Sequence, residues 1–477
     1  MTTTKTMTTT IVAPATPKGK GALAIIRLSG PDALAIADSV WQGVKLRECP
    51  THTTHLGYII DETDNILDQT VATIFRGPNS FTGEDVVEFT LHGSPWIVRE
   101  VTNLLLRKGA QAAEPGEFSR RAYLNGRMDL ASAEGVADLI ASSSKAAHKL
   151  AMQQTRGAFS KEFNELRDKL IELASLLELE LDFSEEDVEF ADRSRLIEIA
   201  TLLLLKIDRL TNSYATGRAI KEGVPVVIAG MPNVGKSTLL NALLHDDKAI
   251  VSDVPGTTRD IIEDTCEIDG VLFRFIDTAG LRESSDKIEN IGIERARRRL
   301  NQASIILWLI DPLSPLSEQI SEMNATLKDL DSDQKIIPII TKASAPGMSE
   351  SAVEGIHKYL DAVFTSENLS NDIRPIIRIS AAENLGLDTL NDALKKASTG
   401  DYDPEKELLL TNARHYADLL HASEALRRAL HQMQTGSSAD FIAMDIREAT
   451  SALSSLTGTI TTPDLLNSIF SKFCIGK

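Results

Sequence analysis

The segment Gly230–Ser237 constrains the fold of this chain most strongly, because its sequence GMPNVGKS fits the pattern GxxxxGK[ST]. It directly follows an apolar run, Val224–Ala229, and precedes a helical run, Thr238–Leu244. Glycines let the backbone curl so that its N–H groups face phosphate oxygens at a helix N-terminus, while the lysine reaches the outer phosphates. The pattern therefore predicts a strand–loop–helix unit that binds a nucleotide. The predicted contacts are Gly230, Asn233, Val234, Gly235, Lys236, Ser237 and Thr238.

Apolar strands alternate with helical segments after residue 223, which is typical of a mainly parallel sheet covered by helices. The predicted strands are Val224–Ala229, Val271–Ile276, Ile305–Ile310, Ile336–Ile340 and Ile376–Ile379. Before this region, apolar residues from Phe159 to Leu177 are spaced three and four apart, and a helical pattern returns after about residue 400. The economical interpretation is one helical domain, split in sequence by an inserted α/β domain.

Composition sets the broad class of the protein. The 477 residues suggest two to four domains, and 42% hydrophobic with 25% charged residues is an ordinary globular balance. No apolar stretch approaches the roughly 20 residues of a membrane-spanning helix. Three cysteines without a CxxC pair do not suggest a disulfide framework or zinc, and the N-terminus has no apolar signal region. We therefore expect a cytoplasmic protein with no membrane contact.

The chain is acidic, with 50 Lys+Arg against 68 Asp+Glu and a formal net charge of −18 at pH 7. This balance argues against a nucleic-acid backbone that the chain grips alone. It is compatible with a nucleic-acid substrate that a partner helps to hold.

Two further elements indicate a GTPase. Thr258 lies 21 residues after Ser237, and Asp277–Gly280 follows the strand Val271–Ile276. An aspartate at that position can hold the Mg²⁺ shell, and the Gly280 N–H can meet the γ-phosphate, so that the following loop senses hydrolysis. We expect Ser237 and Thr258 to ligate Mg²⁺. The nucleotide contacts predicted in these two elements are Thr257, Thr258, Asp277, Thr278, Ala279 and Gly280.

The base-reading loops depart from the usual GTPase pattern. Such domains read guanine with Asn-Lys-x-Asp, whereas Thr341–Ser344 reads TKAS. Because a serine hydroxyl cannot accept both hydrogen bonds from the N1 and N2 edge of guanine, base discrimination loses about 1.5–3 kcal/mol. The second base-contacting loop matches Ser380–Ala382, so we expect GTP with weaker guanine specificity. The predicted contacts are Thr341, Lys342, Ser344, Ser380, Ala381 and Ala382.

Several longer strings occur in order along the chain. In the α/β domain these are GMPNVGKS, PGTTRD, DTAGLRE and IENIGIER; outside it they are TIVA, GPNSFTGED, PGEFS, LNGRMDL and the final FCIGK. Together they closely resemble the MnmE (TrmE) family of tRNA-modification GTPases, over nearly the whole chain.

The resemblance implies a GTPase that uses a potassium ion in place of an arginine finger. The expected K⁺ ligands are Asn233, Ser252, Val254 and Thr257, with Ser252 also counted among the nucleotide contacts. A cation between the phosphates would neutralise charge that develops in the transition state. Leu281 follows Gly280, so the usual water-positioning glutamine is absent, and by resemblance Glu289 does that work as a catalytic residue.

The resemblance also implies that the N-terminal domain binds 5-formyltetrahydrofolate or a related tetrahydrofolate. The matching positions are Arg27, Glu88, Arg127 and Lys477. Family members often carry lysine where this chain has Arg127, a change that preserves charge and alters geometry. Cys474, in the C-terminal tail, would lie next to the folate pocket as a catalytic thiol.

The expected fold class is multidomain, α+β and α/β. It comprises an N-terminal folate-binding and dimerisation α/β domain (1–125), a discontinuous helical domain (126–217 and 399–477) and an inserted Ras-like P-loop GTPase domain (218–398). The implied function is a potassium-dependent GTPase acting as a homodimer. With an FAD-containing MnmG-like partner, it would add a carboxymethylaminomethyl or aminomethyl group to C5 of the wobble uridine of certain tRNAs.

Two alternatives stay open from the sequence. A ribosome-assembly or RNA-binding GTPase switch would do no chemistry and predicts a basic RNA-binding appendage, which the sequence does not display. A folate-dependent one-carbon transferase with a vestigial GTPase domain is raised by Thr341 and Ser344. It predicts weak or nonselective nucleotide binding.

Overall fold

The computed structural model describes residues 9–182, 193–245, 250–251, 264–276, 300–327, 334–346, 350–366, 376–400 and 407–476. The chain divides into two compact units. The first comprises Met1–Ile140, Met152–Leu203 and His421–Lys477, and the second comprises Ala141–Ala151 and Leu204–Leu420. No helix in the described part combines the length and apolar character that a bilayer crossing requires.

The first unit contains a seven-stranded sheet. Its strands are β1 (Ile11–Pro14), β2 (Leu23–Ser29), β3 (Trp41–Gln42), β4 (Thr53–Ile60), β5 (Ile66–Phe75), β6 (Val86–His92) and β7 (Gln111–Ala112). Their order is β3-β4-β5-β6-β2-β1-β7, and the pairs are antiparallel apart from β1 with β7. This sheet is therefore of the α+β type.

One face of this sheet is apolar because its strands alternate. Ile26, Ala72 and Phe89 are buried on three neighbouring strands and belong to one core cluster. Helices α1 (Ala33–Asp38) and α2 (Pro95–Arg107) contribute apolar side chains to the same cluster. Residues between the buried ones point to the opposite face, so that face is left to carry polar groups.

In sequence, the remaining helices come before, between and after the strands of the second sheet. They are α3 (Glu117–Leu124), α4 (Leu130–Ala141), α5 (Lys145–Thr155), α6 (Ala158–Asp182), α7 (Arg193–Asn212), α8 (Tyr214–Glu222), α9 (Lys236–Leu244), α10 (Leu316–Leu327), α11 (Glu350–Ser366), α12 (Leu387–Thr399), α13 (Ala413–Thr435), α14 (Ala439–Thr457) and α15 (Pro463–Phe470). A short 3-10 helix covers Leu46–Glu48.

Helices α6 and α14 pack against each other although the GTPase segment separates them in sequence. The apolar face predicted for α6 is buried, from Phe159 to Leu177. This pairing confirms a helical domain that is assembled from two separated stretches of the chain.

The second unit contains another seven-stranded sheet. Its strands are β8 (Val224–Ala229), β9 (Ile250–Val251), β10 (Asp264–Ile268), β11 (Val271–Phe275), β12 (Ile305–Ile310), β13 (Lys335–Ile340) and β14 (Ile377–Arg378). The order is β14-β13-β12-β8-β11-β10-β9. Strands β14 to β11 pair in parallel, and β10 is antiparallel to β11 and β9.

The inner strand β12 shows that this sheet is covered on both faces. All six of its residues are buried. Leu307 belongs to a core cluster with residues of α9 and α12, whereas Trp308 belongs to a cluster with residues of α10 and α11. Because the parallel strands run in one direction, the loops that follow β8, β13 and β14 all leave the sheet at its carboxyl edge, where α/β folds bind their ligands.

Candidate functional site

The phosphate-binding loop joins β8 to α9. Gly230 (φ +133°), Asn233 (φ +61°) and Gly235 (φ +105°) adopt positive φ angles that curl the loop. At Gly230 any larger residue would clash, because a Cβ there would lie 2.5 Å from the carbonyl oxygen of Leu309 in the adjacent strand. The buried Val234 side chain anchors the loop to the core. Gly235 is the N-cap of α9.

Lys236 is the first residue of α9 and its side chain folds back over the loop. Its Nζ donates hydrogen bonds to the carbonyl oxygens of Gly230 at 2.7 Å and Met231 at 2.9 Å. Burial lowers the pKa of the Lys236 amino group below its usual value, because it disfavours the charged form. Ser237 and Thr238 follow in the same first turn. The loop thus presents an ammonium group, a hydroxyl group and a helix N-terminus together, which suits a polyphosphate with Mg²⁺.

The TKAS loop after β13 is bound tightly to its neighbours. Thr341 is buried, and both its N–H and its hydroxyl donate to the carbonyl oxygen of Ile310, at 2.9 and 3.2 Å. Lys342 has a positive φ of 55°. The Thr341 hydroxyl is thus bonded to the sheet and not presented to a ligand.

The TKAS loop and the loop after β14 lie side by side. The N–H of Ala343 donates to the carbonyl oxygen of Ile379 at 3.0 Å, and the hydroxyl of Ser344 donates to the hydroxyl oxygen of Ser380 at 2.8 Å. Ala381 and Ala382 follow at the surface side of this contact. The structure thus brings together the two segments that the sequence assigned to the base.

Asp311, at the end of β12, is a site residue that the sequence reasoning missed. Its Oδ2 accepts hydrogen bonds from Lys342 Nζ at 2.6 Å and Ser314 Oγ at 2.9 Å, and its Oδ1 accepts from the Leu313 N–H at 3.0 Å. The side-chain amide of Gln319 binds both backbone groups of Asp311. Its Oε1 accepts a hydrogen bond from the Asp311 N–H, and its Nε2 donates one to the Asp311 carbonyl oxygen. The only signal in the sequence was an aspartate directly after a fully apolar strand.

The ionisation of Asp311 is set by two opposing effects. Burial disfavours the carboxylate, but the hydrogen bonds from Lys342, Leu313 and Ser314 outweigh it and lower the pKa of Asp311 below its usual value. Because the unperturbed pKa of aspartate is about 3.9, the carboxylate stays charged at all higher pH values. The stabilisation from its contact with Lys342 is lost only as the pH falls through the lowered value.

Ten predicted site residues lie outside the described residues. They are Ser252, Val254, Thr257, Thr258, Asp277, Thr278, Ala279, Gly280, Glu289 and Lys477. The proposed potassium ligands other than Asn233, the second Mg²⁺ ligand and the water-positioning glutamate are therefore still predictions.

A second cluster of predicted residues lies on the sheet of the first unit. Arg27 in β2 and Glu88 in β6 are register partners, and Arg27 Nε and Glu88 Oε1 are 2.7 Å apart. The guanidinium carbon of Arg27 lies 5.5 Å from the ring centroids of both Phe81 and Phe118. A charged pair between aromatic rings is a suitable receptor for a flat polar ligand.

The C-terminal tail reaches this cluster. The carbonyl oxygen of Gly476 accepts a hydrogen bond from Arg27 Nη1 at 3.5 Å, and the carbonyl oxygen of Cys474 accepts one from the Gly116 N–H at 3.4 Å. Cys474 is exposed and its thiol is free. Arg127 lies against the loop that carries Phe81, because a Cβ at Gly83 would be 3.2 Å from Arg127 Cγ. Arg27, Glu88 and the tail therefore meet, with Arg127 beside the flanking loop.

The sequence reasoning also missed Arg121, which is fully buried in α3. Its guanidinium group pairs with Glu117 at 2.9 Å and Glu84 at 3.2 Å, and it donates to the carbonyl oxygen of Thr9 at 2.7 Å. These contacts join the GPNSFTGED loop to α3 and so position the two rings that flank Arg27. The partner residues Glu84 and Glu117 lay inside strings already singled out, but no pattern marked Arg121 itself.

We expect Asp311→Asn to weaken GDP binding by roughly 3- to 10-fold, because Lys342 loses a charge-assisted hydrogen bond that holds it in the base-reading loop. The measurement is the dissociation constant of GDP by isothermal titration. Asp392→Asn removes the same charge from an exposed site on α12 and should leave the constant unchanged. Equal affinities for Asp311→Asn and the unaltered protein would show that the ion pair does not hold the pocket.

Comparisons with known proteins identify the family. Residues 10–127 match the family described as GTP-binding protein TrmE N-terminus, and residues 130–474 match the MnmE helical domain. Proteins named tRNA modification GTPase MnmE are 48% identical in Cytophaga hutchinsonii, over 98% of both chains, and 45% identical in Flavobacterium johnsoniae and Bacteroides thetaiotaomicron, over 98% of this chain and 99% of theirs. A solved G domain, of the T. maritima FeoB iron transporter, has a TM-score of 0.25 and 22% identity, covering 37% of this chain and 98% of its own, which is too low to bear on the fold. With matches that span nearly the whole chain, this protein belongs to the MnmE (TrmE) family.

Proposed function

We propose that this chain is a Mg²⁺- and K⁺-dependent GTPase of tRNA modification. With an FAD-containing MnmG-like partner, it adds a carboxymethylaminomethyl or aminomethyl group to C5 of the wobble uridine. One observation carries the proposal. A chain of this family has a curled phosphate-binding loop with Lys236 in one unit and the Arg27–Glu88 pair, edged by the C-terminal tail, in the other. A nucleotide switch without chemistry does not account for the Arg27–Glu88 pair, and a transferase with a vestigial GTPase domain does not account for the phosphate-binding loop.

The nucleotide part of the proposal rests on oxygen donors around the loop. Ser237 and Thr258 would hold Mg²⁺, and Asn233 would hold K⁺ with Ser252, Val254 and Thr257. Asn233 suits this role because it is an exposed residue of the phosphate-binding loop itself. Amide, hydroxyl and carbonyl oxygens are hard ligands, and a cation held by them would neutralise charge that develops on the phosphates. Glu289 would orient the attacking water.

The folate part of the proposal rests on the cluster of the first unit. Glu88 and Arg27 offer an acceptor and a donor to the edge of a pterin ring, and Phe81 is partly exposed beside them. Arg127 and Lys477 would pair with the carboxylates of the folate. When bound, a tetrahydrofolate would supply a one-carbon unit, and the exposed thiol of Cys474 would act at the edge of that pocket.

We propose a homodimer on the basis of the sheet face that carries Arg27 and Glu88 in the first unit. Residues opposite one another in register share a face, so Leu23 and Leu56 lie on the side that carries Arg27 and Glu88. Their exposed fractions are 62% and 68%, which is unusual for leucines on a sheet. A second copy of this chain would cover them. The net charge of −18 fits a subunit that leaves much of the tRNA contact to its partner.

We also propose the segment boundaries at 125, 217 and 398, and the cytoplasm as the location. The cytoplasmic location is supported by Cys49, Cys266 and Cys474, none of which is paired in a disulfide.

Potassium dependence is the most direct test of the nucleotide proposal. GTP turnover should be faster in KCl than in NaCl at equal ionic strength by roughly 10- to 100-fold, because sodium is too small to replace potassium in a cage of fixed oxygens. Turnover is measured as phosphate release with Mg²⁺ present. Equal rates in both salts would contradict the potassium mechanism, and turnover of ATP at the GTP rate would favour the vestigial-domain alternative.

Glu289→Ala serves as the second arm of this test. Its turnover should fall by about 100-fold with GDP affinity retained, because the water loses its orienting group. Glu354→Ala removes an exposed carboxylate from α11 and should turn over normally. Normal turnover by Glu289→Ala would remove Glu289 from the site.

We expect Arg27→Met to weaken binding of 5-formyltetrahydrofolate by at least about 10-fold, because it removes the charged donor while keeping an apolar stem. The dissociation constant is measured by isothermal titration, and GTP turnover should not change. Arg99→Met alters an exposed arginine of α2 and serves as the control. Full folate affinity in Arg27→Met would place the folate at another site on this chain.

A further inference from the structure

The two base-facing loops form a pocket edge that is rigid and already hydrogen-bonded. Ala343 donates to Ile379 at 3.0 Å, and the N–H of Ser380 donates to the carbonyl oxygen of Leu385 at 3.0 Å. The hydroxyl of Ser344 donates to Ser380 Oγ at 2.8 Å. Both loops leave neighbouring parallel strands at the carboxyl edge of the sheet, close to where the phosphate-binding loop begins. A purine attached to the bound phosphates meets these groups.

The hydroxyl of Ser344 can read at most one hydrogen-bond donor of a base. Its own proton is already given to Ser380, so it faces a ligand as an acceptor. A carboxylate accepts the N1–H and the 2-amino N–H of guanine side by side, whereas one hydroxyl oxygen cannot match that parallel geometry. The shorter serine side chain also ends farther from the base than an aspartate at this position would.

The carboxylate of Asp311, which contacts Lys342 of the TKAS loop, does not replace the missing one. Asp311 is buried, and its two oxygens already accept hydrogen bonds from Lys342, Ser314 and the Leu313 N–H. Because Asp311 is buried and its charge is paired with Lys342, it is not the exposed carboxylate that the N1 and N2 edge of guanine requires. In the second loop Glu383 is exposed, with its backbone N–H bonded to the Ser380 carbonyl oxygen.

The 6-position of the purine has suitable partners. Ala381 and Ala382 follow Ser380. Within the described part of the chain, their backbone N–H groups donate to no other residue. Such N–H groups donate to a 6-oxo group and present no acceptor to the 6-amino group of adenine. Discrimination against adenine is thereby separated from recognition of the 2-amino group.

We propose that this pocket reads the 6-oxo group of a purine and leaves the 2-amino group unread, so that hypoxanthine nucleotides bind about as well as guanine nucleotides. Ser344 is then the residue that sets this specificity. The inference deepens the proposed GTPase function, rests on its nucleotide site and does not depend on the tRNA chemistry.

Binding of GDP and IDP tests the proposal, because the two nucleotides differ only in the 2-amino group and neither is turned over. The full-length chain with Mg²⁺ is titrated calorimetrically with each. The two dissociation constants should agree within about threefold, whereas Ser344→Asp should favour GDP over IDP by at least about tenfold. Asn384→Asp adds the same charge to an exposed position of the second loop and should keep the ratio of the unaltered protein.

A preference of tenfold or more for GDP in the unaltered protein would overturn the proposal, and this measurement needs no substitution. An unchanged ratio in a folded Ser344→Asp protein would overturn the role of Ser344. If the unaltered protein prefers GDP in this way, loss of that preference in Glu383→Gln would assign base reading to Glu383. If neither nucleotide bound, the GTPase function would fail, and this inference would fail with it.

Discussion

The close approach of Gly230 to the carbonyl oxygen of Leu309 is the contact on which the nucleotide unit depends. It seats the phosphate-binding loop on β12, a strand whose six residues are all buried. From that position α9 starts with Lys236, and the loops after β13 and β14 leave the same edge of the sheet. The parallel strand pairing therefore holds the phosphate-binding loop and the TKAS loop in fixed register, and Asp311, directly after β12, holds Lys342.

The charged cluster of the first unit draws on distant parts of the sequence. Arg27 and Glu88 meet across β2 and β6, and Arg121 holds the loop and helix whose rings flank them. The C-terminal tail then returns to the same sheet and offers the Gly476 carbonyl to Arg27. Arg121 is a positioning residue here, since burying its charge is tolerable only with both carboxylates in place. The geometry of this cluster therefore depends on the C-terminal tail as well as on β2 and β6.

Periodicity and motif spacing predicted the regular parts of this fold. Strands β8 and β12 were predicted with the bounds that the structure has, and the buried face of α6 followed from its three-and-four spacing. Strands β9 and β10 were missed, because a two-residue edge strand and a polar hairpin strand carry little apolar pattern. The candidate sites also divide into residues that the sequence predicted and residues that it did not. The phosphate-binding loop was readable because its chemistry fixes residue types at fixed spacing, whereas Asp311 and Arg121 act through tertiary contacts that leave no local pattern.

The proposed function requires that nucleotide hydrolysis in one unit drives chemistry that involves the other unit. The most direct measurement is the amount of C5-modified uridine in tRNA, determined by mass spectrometry after incubation with GTP, Mg²⁺, K⁺, a folate and the FAD-containing partner. Lys236→Met should leave the chain folded and reduce GTP turnover by at least about 100-fold. The modified uridine should fall with it. Formation of modified uridine at the unaltered rate by Lys236→Met would contradict the account.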